Sequence, residues 1–192
     1  MMTNNKHVPL ETPVERTFVA LVEDKPGVLN RVASLFRRRG FNIESLTVGH
    51  TDLEGVSRMT IVTILDAYTA RTLEANLYKL VNVLRVEEVT FSPVVTRDLA
   101  LIKVQADAET RPQVLQICDV FRARVVDVTQ EALVIEITGT EDKIEGLLEV
   151  LQPFGIVEMV RTGRVAMTRG SQAISIHPEF VSARVPNGAA AH

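Results

Sequence analysis

One order of patterns occurs twice along this chain, and it constrains the fold more than any single motif. Phe18–Val22 is an apolar run that reads as a strand. After Pro26-Gly27, apolar residues fall at Val28, Leu29, Val32, Ala33, Leu35 and Phe36, spaced to share one face of a helix over 27–39. Gly40 suits a left-handed C-cap, and Arg37, Arg38 and Arg39 suit the negative end of the helix dipole. Asn42 opens a second strand, to Thr51, with Leu46 and Val48 on one face, and Asp52-Leu53-Glu54-Gly55 is a turn. Met59–Leu65 is apolar on both alternating faces, which implies a central, covered strand. A second helix carries Ala70, Leu73, Leu77, Leu80, Val81 and Leu84, with Thr69 as N-cap. A fourth strand runs from Arg85 to Phe91, and Pro93 closes it.

The order then starts again. Ala100, Ile102 and Val104 alternate in a strand, and Thr110 and Pro112 mark a helix start. Val114, Leu115, Ile117, Cys118 and Phe121 form the apolar face of that helix. Val125–Val128 and Leu133–Ile137 read as strands. Glu141 and Asp142 favour a helix that buries Ile144, Leu147, Leu148 and Leu151. Pro153 and Gly155 stop it, and Ile156–Val160 is the last strand. Strand, helix, strand, strand, helix, strand describes a ferredoxin-like βαββαβ unit, an antiparallel sheet with two helices on one face. The chain reads as α+β, with a flexible lead-in over 1–16, one unit over 17–93, a second over 98–170 and a disordered tail over 171–192. Val94–Arg97 reads as the link. The helix-free face of the first sheet should meet a second domain or another copy of the chain.

Composition removes several function classes. Net charge is -3 and aromatics are 5%, with no basic aromatic run, so nucleic-acid binding is not expected. Arg37-Arg38-Arg39 reads as a solvated helix end. His7, His50, His177 and His192 share no metal-ligand spacing, and the single Cys118 sits in a core pattern. There is no phosphate loop and no arrangement resembling a nucleophile triad. No apolar run reaches a membrane span, and Met1–Pro13 lacks the apolar stretch of a signal peptide, so a cytoplasmic protein is expected.

The chemistry is concentrated in the turn Glu23-Asp24-Lys25-Pro26-Gly27. Glycine allows close approach to the backbone, and the first N–H groups of the helix have no intrahelical acceptor. The turn therefore offers a small anion site, with Asp24 alongside to accept from an ammonium group. A free amino acid carries both charges. Taken alone, the same residues also describe a tight strand-to-helix turn, and Asn42 an ordinary turn residue after a helix end. The corresponding turn of the second unit, Gln105–Pro112, has no glycine, so it is not expected to hold the same ligand in the same way.

Glu23-Asp24-Lys25-Pro26-Gly27-Val28-Leu29 resembles the opening of an ACT domain, a small-molecule sensor of amino-acid metabolism. The string from Arg38 to Val48 (Arg-Arg-Gly-Phe-Asn-Ile-Glu-Ser-Leu-Thr-Val) is similar to the small, regulatory subunit of acetolactate synthase. So are Ser57-Arg58-Met59-Thr60-Ile61, Leu80–Val86, Val126-Asp127-Val128-Thr129 and Arg161–Gly170. The resemblance spans about 17–170.

It implies an ACT domain followed by an ACT-like carboxy-terminal domain, with no catalytic centre of its own. It implies a catalytic partner subunit that holds thiamine diphosphate, magnesium and FAD and makes acetolactate from pyruvate, on the route to valine, leucine and isoleucine. The small subunit activates that partner and confers feedback inhibition by valine, bound where two ACT domains pair in a homodimer. Carried onto this sequence, Gly27, Val28 and Leu29 would offer N–H groups to the valine carboxylate. Asn42 would reach across the interface, and Ile43 would line the side-chain pocket. Asp24 stands where bacterial members often have Asn, and it keeps the acceptor but loses the amide donor. The alternative is a free-standing ACT-type sensor controlling another enzyme or transcription.

Overall fold

The computed structural model describes residues 12–171 and 173–176. They divide into two compact units: one ends at Pro93 and is joined by the described residues after Arg169, and the other is Val94–Arg169.

In the first unit the elements are β1 (Val14–Glu23), α1 (Val28–Arg39), β2 (Ser45–His50), β3 (Val56–Leu65), α2 (Ala67–Tyr78) and β4 (Val83–Glu88). The sheet order is β2-β3-β1-β4, antiparallel throughout. Alternation along β1 sends Phe18, Ala20 and Val22 to the helix side, where they meet Val32 and Phe36 of α1 and Leu73 and Leu77 of α2. Phe36 meets Phe41 edge-on at 6.4 Å, which anchors the chain as it leaves α1. β3 is central, as its two apolar faces require.

The helix-free face is buried in part within one chain, while Ile64 on that face is 53% exposed. Val19, Leu21, Thr60 and Val62 are each at most 4% exposed. Residues 170, 171 and 173–176 belong to this unit, and Ile174 and Ile176 are buried. A free tail would leave both isoleucines in water, so the tail expected from 171 does not describe 173–176. Its remainder lies outside the described residues.

The second unit contains β5 (Val94–Gln105), α3 (Arg111–Phe121), β6 (Arg124–Val128), β7 (Ala132–Gly139), α4 (Glu141–Leu151), β8 (Ile156–Arg161) and β9 (Val165–Thr168). The order β6-β7-β5-β8 repeats that of the first unit. The expected link is instead strand: Val94–Arg97 pairs with β9 before β5 continues between β7 and β8. β9 has no counterpart in the sequence reading.

Three local expectations change. Asn42 does not open β2, which begins at Ser45. α2 ends at Tyr78, and Leu84 lies in β4. Asp66, not Thr69, caps α2: its carboxylate accepts from the Thr69 N–H and hydroxyl, each at 2.8 Å.

Candidate functional site

The turn from β1 into α1 is held from below by backbone bonds. Glu23 N–H donates to the Asn82 carbonyl at 2.9 Å, and Asp24 N–H donates to the Gly55 carbonyl at 2.8 Å. Asn82 also links side chains: its amide donates to Glu23 Oε2 at 2.5 Å, and its Oδ1 accepts from Arg31 Nη1 at 2.7 Å. Glu23, Asn82 and Arg31 therefore tie the end of β1, the α2–β4 loop and the first turn of α1 into one frame. Sequence reasoning gave Asn82 no role. The available signal was an amide interrupting the apolar Leu80–Leu84 run.

Gly27 is the N-cap of α1 at φ 84°, in the left-handed region, and no side chain caps the helix there. A Cβ placed on Gly27 would meet nothing within 4 Å. Glycine is thus required by backbone conformation, and the space beside it is open. Val28 is buried in the core, while Leu29 is half-exposed. Asp24 is exposed, and its Oδ2 lies 3.3 Å from Nδ1 of His50 at the end of β2. His50 was not among the predicted site residues.

Asn42 and Ile43 lie elsewhere. They follow the C-terminal end of α1, whose twelve residues span about 18 Å from the Gly27 end. The Asn42 side chain is exposed and donates to Glu44 Oε1 at 2.7 Å, and its carbonyl accepts from Thr63 Oγ1 at 2.6 Å. Ile43 packs partly against the core. One chain therefore groups Asp24, Gly27, Val28 and Leu29 at one end of α1 and Asn42 and Ile43 at the other.

The matching turn of the second unit is filled by its own side chains. The Asp107 carboxylate accepts from the N–H groups of Glu109 and Thr110 at 3.0 and 2.8 Å and from the Thr110 hydroxyl at 2.8 Å. Arg111 Nη2 donates to the carbonyls of Ala106, Thr129 and Gln130. Here a carboxylate of the chain itself occupies the N–H groups just before the helix, and no side chain caps the start of α3 itself.

Comparison with known proteins identifies the architecture. Residues 18–85 match the family model for the AHAS small subunit-like ACT domain, and residues 97–170 match that for the small subunit of acetolactate synthase. The chain belongs to the acetolactate synthase small-subunit family.

Members of this family are similar along most of their length. The acetolactate synthase small subunit of Mycolicibacterium smegmatis is 51% identical over 158 residues, covering 82% of this chain and 93% of that protein. The probable acetolactate synthase small subunit of Archaeoglobus fulgidus is 48% identical, covering 83% of this chain and 99% of that protein. The crystal structure of the small subunit from Thermotoga maritima superposes with a TM-score of 0.77 at 40% identity, covering 83% and 99% of the two chains. The family places an ACT domain first, where the open turn lies, and supports a regulatory role for the chain. No helix among the described residues is long and apolar enough to cross a membrane.

Proposed function

We propose that this chain is the non-catalytic regulatory subunit of a cytoplasmic acetolactate synthase, binding valine and lowering the enzyme's activity in feedback control of branched-chain amino-acid synthesis. The catalytic subunit would hold thiamine diphosphate, magnesium and FAD, and this chain would raise its activity when valine is absent.

The observation that carries the reading is the division of the site between the two ends of α1. At one end, the helix start at Gly27, uncapped by any side chain, offers N–H groups to a carboxylate, that of Val28 now donating weakly to the Lys25 carbonyl at 3.4 Å, and Asp24 offers an acceptor to an ammonium group. At the other end, Asn42 holds an exposed amide. A molecule the size of valine cannot bridge about 18 Å. A second copy, with its ACT domain paired head to tail, would bring its Asn42 to the first copy's Gly27. The family match over 97–170 favours this reading over a free-standing sensor.

Regulation follows as a population shift. Valine binds one arrangement of the paired ACT domains more tightly and so favours a less active complex. Linkage requires the catalytic subunit to change valine affinity by the same factor. Calorimetric titration of valine, leucine and isoleucine into the purified chain tests this, with Asn42→Ala in parallel and with the catalytic subunit present or absent. Saturable valine binding, lost in the variant and altered by the partner, supports the reading. Equal affinity with and without the partner would sink it.

A further inference from the structure

The helical face of the first unit carries unbalanced positive charge. α1 contains Arg31, Arg37, Arg38 and Arg39 and no acidic residue, in a chain of net charge -3. α2 and its C-cap add Arg71 and Lys79. Two acids accompany them: the N-cap Asp66, engaged by Thr69, and the half-buried Glu74, which lies in the field of Glu88, Arg85 and Glu87 of β4. Arg37, Arg38, Arg71 and Lys79 are exposed and form no ion pair among the described residues.

This face is shaped as well as charged. Arg39 Nη2 donates to Asn76 Oδ1 at 3.1 Å, and the buried Asn76 donates in turn to the Thr72 carbonyl at 2.7 Å. That pins one arginine across the two helices. Beside it opens a shallow hollow of about 420 Å³, lined by Arg39, Tyr68, Arg71, Asn76 and Lys79 among others. Tyr68 is 81% exposed. An exposed tyrosine among arginines, at the edge of a concave surface, is the composition that dominates protein interfaces. A pinned arginine also loses less freedom on binding.

We propose that this hollow and its cationic rim dock an acidic, convex face of the catalytic subunit of acetolactate synthase. The proposal rests on the regulatory-subunit reading above and adds the contact surface. Nucleic acid fits less well, because one tyrosine is no stacking platform and the chain is acidic. α1 supplies a physical connection: its first turn is the candidate effector turn, and its last turn carries the docking arginines. A shift of α1 on effector binding therefore moves the rim.

The test is the double variant Arg71→Glu/Lys79→Glu, which touches none of the candidate effector residues, measured against purified catalytic subunit at two salt concentrations. The neutral pair Arg37→Gln/Arg38→Gln serves as a second variant. Expected for the first is a loss of affinity of about tenfold or more, mostly through slower association, with a flattened salt dependence. Expected for the second is a smaller loss in the same direction. Valine binding by either isolated variant should match the wild type. Wild-type affinity and salt dependence in both variants would overturn the proposal. So would binding of a mixed-sequence RNA lost in the variants while catalytic-subunit affinity is unchanged. A wild-type chain that fails to bind the catalytic subunit overturns the regulatory-subunit reading itself, and the docking surface with it.

Discussion

Asp24 Oδ2 and His50 Nδ1 stand 3.3 Å apart, linking the turn after β1 to the end of β2 beside the uncapped start of α1. The contact places an imidazole against Asp24, whose charge would repel a bound carboxylate; the turn's other acid, Glu23, is engaged by Asn82 and Lys25. Asp24→Asn removes that charge and keeps an acceptor oxygen. Valine affinity is expected to rise roughly two- to fivefold, the scale of one charge near a helix terminus. Stability should change by no more than about 0.5 kcal/mol, because both side chains are exposed. Calorimetry and chemical denaturation of the variant separate the two effects, and unchanged or weaker valine binding would count against the assignment.

Gly27 and Gly40 both hold left-handed backbone, at φ 84° and 70°, at the two ends of α1. Alanine at either should destabilise the first unit by about 1–2 kcal/mol. Only Gly27→Ala should also abolish valine binding, since it puts a methyl group in the open space over the helix start. Equal loss of binding in both variants would show that binding reports stability alone.

Asn82 ties Glu23 to Arg31 and so fixes the turn from beneath. Asn82→Ala leaves the Glu23 carboxylate without its amide donor, at an expected cost of about 1–2 kcal/mol. A looser turn should weaken valine binding although Asn82 is not among the residues proposed to touch valine. Adding Arg31→Ala should then cost little more, which a double-mutant cycle measures.

In the second unit, Arg161 donates to Asp98 Oδ2 through Nη2 at 2.6 Å and Nε at 3.0 Å, and reaches Glu145 at 2.9 Å. Burial acts to lower the Arg161 pKa, but the hydrogen bond and charge of Asp98 outweigh it and hold the guanidinium charged. Asp98→Ala should destabilise this unit by about 2 kcal/mol or more, the loss being limited by the remaining glutamates. Denaturant unfolding of the isolated variant chain checks this.

Asp107 at the entry to α3 gives a pH dependence of known sign. The Thr110 N–H and hydroxyl hold its carboxyl below the ordinary carboxylate range. A depressed folded value means its stabilisation is complete above the ordinary value of about 3.9 and is lost as pH falls through the folded value. Asp107→Asn should therefore be less stable than wild type at pH 7, and the gap should close towards pH 3. A gap that widens in acid would reverse the assignment.

The features legible in the sequence are those that depend on chain neighbours. Helical spacing in Val28–Phe36, the apolar run Phe18–Val22, alternation in Met59–Leu65 and Ala100–Val104, and the glycines flanking α1 specify two βαββαβ units and the open turn. They do so because a helix face, a strand face and a left-handed cap are each set by a few adjacent residues. Asp66 and Thr69, three positions apart, compete for one helix start, and only the backbone geometry selects Asp66 as the cap. The apolar spacing of α2 continues by coincidence as far as Leu84 in β4, so spacing alone does not show where the helix ends.

What tertiary structure alone decided involves distant partners. Val94–Arg97 is a strand only because Val165–Thr168 pairs with it about seventy residues later. Asn82 matters because folding brings it under Glu23, 59 positions away. The family resemblance named Gly27 and Asn42 as parts of one site shared across an interface between two copies. The fold puts them at opposite ends of α1, since a helix between two adjacent landmarks separates them by its own length.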